Sequence, residues 1–158
     1  FGLPYKTTSA GVLDHQGNPA PFDRAVIIFK YLLLCPKSFP KESEWITYRN
    51  FKDSGPLTKY FEYEVERAIA SFFSGKLEAL QAATQCRGGL APPLALPYDH
   101  AATWLALPKI PVMLLFNDVD ETFSAKCTVL FKDSAEFYLD AECLAMVGRL
   151  LFNHLSTP

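Results

Sequence analysis

The chain has 158 residues, 49% of them apolar and 20% charged, with thirteen Phe; this excludes disorder and fits one domain that buries a core without metal or disulfide staples. Fifteen basic against seventeen acidic residues give a net charge of −2, and no run of lysines supplies the clustered basic face a nucleic-acid binder needs. Cys35, Cys86, Cys127 and Cys143 are widely spaced, as expected of reduced, mostly buried thiols in a cytoplasmic protein.

In chain order, residues 1–21 alternate small, polar and Gly/Pro residues, and Gly11 to Asn18 reads as a short strand running into a turn. Asp23 is a candidate N-cap for a helix through Leu34. Val26, Ile27, Phe29, Leu33 and Leu34 cover most of its circumference, which predicts a buried helix. The apolar stretch from Ala25 to Cys35 is broken by Lys30 and stopped by Pro36, too short to span a bilayer, and Pro40 keeps the following loop extended. Glu44 to Asn50 has the composition of a short strand. Ser54, Gly55 and Pro56 then open a long amphipathic helix, with Ser54 as cap, Phe61, Val65, Ile69 and Phe72 inward and Glu62, Glu66 and Arg67 opposite, ending at Gly75. Leu77, Leu80 and Thr84 continue helical spacing until Gly88 and Gly89 stop it.

Three prolines make Leu90 to Pro97 an extended connector. It delivers the chain to a three-stranded antiparallel meander between Tyr98 and Leu139, in which Val112 to Phe116 is an unbroken apolar run suited to the central strand and Ala125 to Phe131 is rich in β-branched and aromatic residues. A single helical turn follows from Asp133 to Tyr138. Asp140 then caps a last helix whose stripe is Leu144, Val147, Leu151 and Leu155. The expected architecture is a single α+β domain over residues 1–158, a small antiparallel sheet covered by about four helices, with possible N-terminal strands.

Four constellations have functional readings. Asn117, Asp118, Asp120 and Glu121 put three carboxylates into one hairpin loop, where a hard cation or a general base is conceivable. The calcium-loop pattern fails, because its sixth and twelfth positions counted from Asp118 are Phe123 and Val129, and a solvated turn is the simpler reading. Asp99 and His100 sit where the connector meets the first meander strand. Neighbours on a strand face opposite ways, so they form no dyad with each other, and His100 is instead placed to meet Cys86 or Cys127 as part of a thiolate or metal pair, or to be a satisfied structural histidine. Arg87, Gly88 and Gly89 end a helix where a phosphate loop would open one, so the dipole has the wrong sign for an anion, although a Gly-Gly turn before a Pro-Pro segment still lets backbone approach a ligand. Trp45, Tyr48, Tyr60, Phe61, Tyr63 and Trp104 supply either core or the wall of an apolar pocket.

LPKIPVMLLF, then DVDETFSAKCTVLF, then DSAEFYL and ECLAMVGRLL resemble an uncharacterised domain family of anaerobic bacteria and archaea, some members of which are labelled iron-sulfur cluster proteins. The likeness is closest from Trp104 to Leu151 and extends more loosely back through Gly88, Gly89, Glu64, Trp45 and Tyr31. Thr122 and Ser124 stand around Phe123 where the family pattern has Glu and Pro, and Lys132 where it has Asp. The resemblance implies no reaction; it implies that the domain follows, in some members, a small cysteine-rich domain that binds a four-iron cluster. The present chain has no Cys-x-x-Cys, so no iron-sulfur cluster is expected within it. Two functions follow as expectations: a binding or scaffolding module that accompanies iron-sulfur or cofactor proteins in anaerobic metabolism, or a small enzyme with an acid/base or metal-assisted site around His100 and the Asp118 to Glu121 loop. The ligand surface is expected where Arg87, Gly88, Gly89, Asp99, His100, Asp118, Asp120 and Glu121 come together. It would take a protein partner or a small molecule, with no role for nucleic acid or membrane; the cofactor is left open, as is the oligomeric state.

Overall fold

A computed structural model describes residues 1–37 and 43–157. The meander is present as β4 (His100–Leu107), β5 (Ile110–Asn117) and β6 (Lys126–Lys132), all antiparallel. Every residue from Val112 to Phe116 is buried, as a central strand requires. A fourth strand, β3 (Trp45–Thr47), joins the far side of β6, so the order is β3-β6-β5-β4. A separate two-stranded sheet pairs β1 (Lys6–Thr8) with β2 (Gly11–Leu13).

Among the described residues four helices accompany the sheets: α1 (Phe22–Leu34), a continuous helical rod α2 over residues 58–73, α3 (Leu77–Cys86) and α4 (Ala141–Ser156). Residues opposite one another on antiparallel strands share a face. Ala102 and Trp104 thus share the core face with Val112, Leu114 and Phe116 and, across β6, with Cys127, Val129 and Phe131. These residues, Phe61, Val65 and Ile69 of α2 and Leu144, Val147, Leu151 and Leu155 of α4 form one buried cluster. Gly148 lets α4 approach α2 closely, since a Cβ there would stand 2.4 Å from the Phe61 ring. Asp140 caps α4 as expected, its Oδ1 accepting from the Cys143 N–H at 2.9 Å. Among the described residues no helix is long and apolar enough to cross a membrane.

Four local expectations need correction. Helix α1 is not buried: only Ile27 is, while Phe22, Phe29, Leu32, Leu33 and Leu34 are exposed. Its neighbours, chiefly α4 and β2, cover one stripe, and an all-round apolar pattern says nothing about how many sides are covered. Asp23 lies inside the first turn and accepts from Arg24 N–H at 2.8 Å; the N-cap is Pro21, which offers no side-chain bond. Ser54 does not cap with its side chain either, since its hydroxyl donates to Arg49 O at 3.1 Å. Finally, α2 is not α-helical throughout. Thr58–Phe61 and Ala68–Phe73 are α, but Glu62–Arg67 between them is a π-helical turn. A π turn holds more residues than an α turn, so the inward positions advance by fours through Phe61, Val65, Ile69 and Phe73, and Phe72 is exposed. The extended loop expected at Pro40 lies outside the described residues.

Candidate functional site

The residues singled out by sequence fall into two groups along β4. In the first, Asp99 and the loop after β5 are stitched together: Asp99 Oδ2 accepts from Asp118 N–H at 2.8 Å, and Asn117 Oδ1 accepts from Asp99 N–H at 3.2 Å. Asp118 Oδ1 accepts from its neighbour Val119 N–H and, at 2.7 Å, from the N–H of Gly75, which ends α2 in a left-handed conformation with φ +69°. Asp120 Oδ1 accepts from the N–H groups of both Thr122 and Phe123 at 2.7 Å. Those two bonds hold its carboxyl below the usual range. Glu121 is exposed on the same loop. The carboxylates thus satisfy backbone donors of the loop and of the helix end, as Asx turns do. Among the described residues no three His, Cys, Asp or Glu side chains converge as a metal cage.

In the second group, His100 turns to α3. Its Nε2 lies 3.0 Å from the Thr84 hydroxyl, and burial holds its pKa below the ordinary imidazole value. Arg87 closes α3: its carbonyl accepts from Trp104 Nε1–H at 3.2 Å, and its guanidinium donates to Thr157 O at 2.9 Å. Gly88 takes a left-handed φ of +70°. Gly89 is required for space, because a Cβ there would sit 2.6 Å from Thr84 and 2.7 Å from Trp104. Both groups border β4, linked through consecutive Asp99 and His100. His100 and Asp99 have different partners: Thr84 for the ring, the Asp118 N–H for the carboxylate and Asn117 Oδ1 for the Asp99 N–H.

A different concavity lies along the opposite margin of the sheet. Strand β3 pairs only with Leu130, Phe131 and Lys132; after Thr47 the chain turns into a 3-10 turn, Tyr48–Asn50, and leaves β6. Between that turn, the π turn of α2 and the first half of β6 is a cleft of about 530 Å³, within the range of small-ligand sites. Its apolar floor includes Tyr48 and Phe61, stacked at 4.3 Å between ring centroids, with the Tyr48 hydroxyl donating to Ala141 O at 2.9 Å. The remaining aromatic candidates lie apart: Trp104 is core, Tyr60 and Tyr63 are exposed, and Trp45 lies under the Lys132 ammonium on β6.

The polar centre of the cleft is Glu66, which corrects the expectation of a solvent-facing position. The π turn rotates it toward the sheet, where Oε1 accepts from Val129 N–H at 3.0 Å. Burial raises the pKa of its carboxyl, against the opposing pull of that N–H and of the nearby Arg49 charge. The bond also defines the hydrogen-bond phase of β6. In an antiparallel strand alternate residues direct both backbone groups to alternate sides. With Val129 directed away from β5, Cys127 is directed away too; the Thr47–Leu130 pair closes the β3 ladder at the Val129 carbonyl, so Cys127 is the first residue that β3 leaves without a partner. The Cys127 side chain is buried and its thiol pKa is pushed well up by burial and then by Glu66, which makes it a poor nucleophile. Arg67 lines the rim, bound to Glu62 at 2.7 Å. Sequence reading missed this site because amphipathic spacing assumes 3.6 residues per turn; the one visible signal was a charged stretch, EYEVER, beside an apolar stripe whose spacing ran at four.

A family model described as a domain of unknown function, DUF3786, matches residues 1–154, and the chain belongs to that family. No curated protein and no solved structure matches the chain.

Proposed function

We propose that the domain is a binding module whose ligand occupies the cleft between the π turn of α2 and β6. The observation that carries this reading is Glu66. A carboxyl of raised pKa, partly buried in a concavity and bonded to the unpaired margin of a strand, is a costly arrangement for a surface that has no task. π turns inside α-helices are frequent at functional sites, and this one is what aims Glu66 into the cleft. The enzyme alternative draws less support, since the His100 ring is engaged by Thr84 and the Asp118 and Asp120 carboxylates by loop N–H groups.

The partner side of the proposal is that the module accompanies iron-sulfur or other cofactor proteins of anaerobic metabolism, which rests on the family resemblance alone. The domain by itself should hold no cluster: Cys127 and Cys143 are buried, with the Cys143 thiol pushed up to about 12 by burial and by Asp140, while Cys35 and Cys86 are exposed. Reconstitution with iron and sulfide should leave no stable charge-transfer band. A band lost on replacing two of the four cysteines would contradict this.

The cleft is tested by screening a fragment library of small amides and carboxylic acids against the 15N-labelled chain. Hits should shift amides of residues 47–49, 62–67 and 125–128, and Glu66→Ala should abolish them while the melting transition stays cooperative. Hits confined to residues 99–100 and 117–121 would overturn the reading.

A further inference from the structure

We infer that the occupant of this cleft is an extended peptide segment of a partner protein, which adds as a strand to the margin of β6 that β3 leaves unpaired; this rests on the cleft reading and names its ligand class. The hydrogen-bonding phase is the first reason. The Val129 N–H is taken by Glu66 and its carbonyl closes the β3 ladder through the Thr47–Leu130 pair, so the backbone groups of Cys127 are the first on this margin with no strand beside them. One strand residue exchanging N–H and C=O with Cys127 would continue the ladder that β3 begins, and such main-chain bonding is the basis of recognition by strand addition. Length agrees as well. From Cys127 to Val129 the margin spans roughly 7 Å, two steps of about 3.3 Å, room for about three extended residues centred on Cys127.

Shape and charge narrow the occupant. The margin is recessed between α2 and the Tyr48–Asn50 turn, so two copies of the sheet cannot meet flat along it, whereas a single segment can enter. Glu62 is already paired with Arg67, but Arg49 and Lys126 make no ion pair among the described residues. An acidic side chain on the segment is therefore favoured over a basic one. Exposed strand margins are commonly blunted by charge to prevent indiscriminate pairing. Glu66 does this at Val129 and leaves Cys127 available.

The experiment selects linear nonapeptides from a random phage-displayed library on the full chain, then titrates synthetic winners into protein labelled with 15N-cysteine, the Cys127 signal being assigned with Cys127→Ser. The expected result is a shift of the Cys127 amide and an alternating N-methyl scan: methylating every second peptide amide in one phase weakens binding at least tenfold, and in the other phase hardly at all. Winners enriched in Asp or Glu should lose affinity in Arg49→Ala. Peptides that bind without alternation, or that leave the Cys127 amide unmoved, overturn the inference. If no peptide is selected while small fragments still bind the cleft, strand addition is wrong and the binding-module reading stands. If neither binds, both fall.

Discussion

The two margins of the main sheet use their carboxylates in opposite ways. Beside β4, Asp99, Asp118 and Asp120 each accept hydrogen bonds from backbone N–H groups of the chain, in solvent-exposed surroundings that cost little to charge. Beside β6, a single carboxyl, Glu66, is carried into a partly buried cleft by a π turn and bonds the last N–H before a stretch of unpaired strand. Three acids in one loop look more like a site than one glutamate in a helix does. The difference teaches that a count of polar groups is a weaker guide than their surroundings: the acids of the loop have their partners within the chain, whereas beside the cleft Cys127 has no strand partner for its backbone groups.

The largest effect should come from the strand both margins share. Leu114 is completely buried at the centre of β5, so Leu114→Ala should cost about 2–5 kcal/mol in chemical denaturation, with probes near Trp104 and near Tyr48 losing signal together. If the β4 side melted alone, the two margins would be separate cooperative units. A smaller, one-sided effect is expected from Gly148→Ala. Its new methyl would press on Phe61 beneath the cleft and should cost about 1–3 kcal/mol as overpacking, shifting amides around Tyr48 and Glu66 while those of Asp99 and Asp120 stay in place. Equal shifts at both margins would break the comparison.

The subtlest effect is a slope with pH. The folded-state pKa of Glu66 lies above its unfolded value, so the folded protein holds that proton more tightly and stability falls as pH rises from the ordinary carboxyl range through the raised value. Asp120 works in the other sense: its folded value is depressed, so its contribution is present above the unfolded value and is lost as pH falls through the folded one. Glu66→Gln keeps an acceptor for Val129 N–H and should flatten the first slope only. An unaltered pH profile in that variant would show that Glu66 carries no burial penalty.

Much of the fold was legible in the sequence. The run Val112 to Phe116 is apolar without interruption because both its faces are covered, and a strand of that length can hardly lie elsewhere than at the centre. Asp140 before the Leu144, Val147, Leu151 and Leu155 stripe gave the last helix its start and its buried side. Legibility failed where neighbours decide the outcome. Phe29 and Leu33 read as core but are exposed, since α1 has too few elements around it. Glu66 read as solvent-facing because nothing in local propensity announces a π turn, and the turn alone rotates it toward β6. The fourth strand, three residues long, owes its position to long-range pairing with Leu130 to Lys132. The cleft exists because that pairing stops so soon.

Native-state amide exchange on β6 reads the unpaired margin directly. Lys126, Thr128 and Leu130 should be protected by pairing with β5, and Val129 by Glu66, while the Cys127 amide, directed into the cleft with no strand beside it, should exchange at least tenfold faster than Lys126 and Thr128 on either side of it and than Val129. Glu66→Ala should then release Val129 to exchange as fast as Cys127. Uniform slow exchange from Lys126 to Leu130, unchanged in Glu66→Ala, would mean that the margin is already closed and would contradict the account.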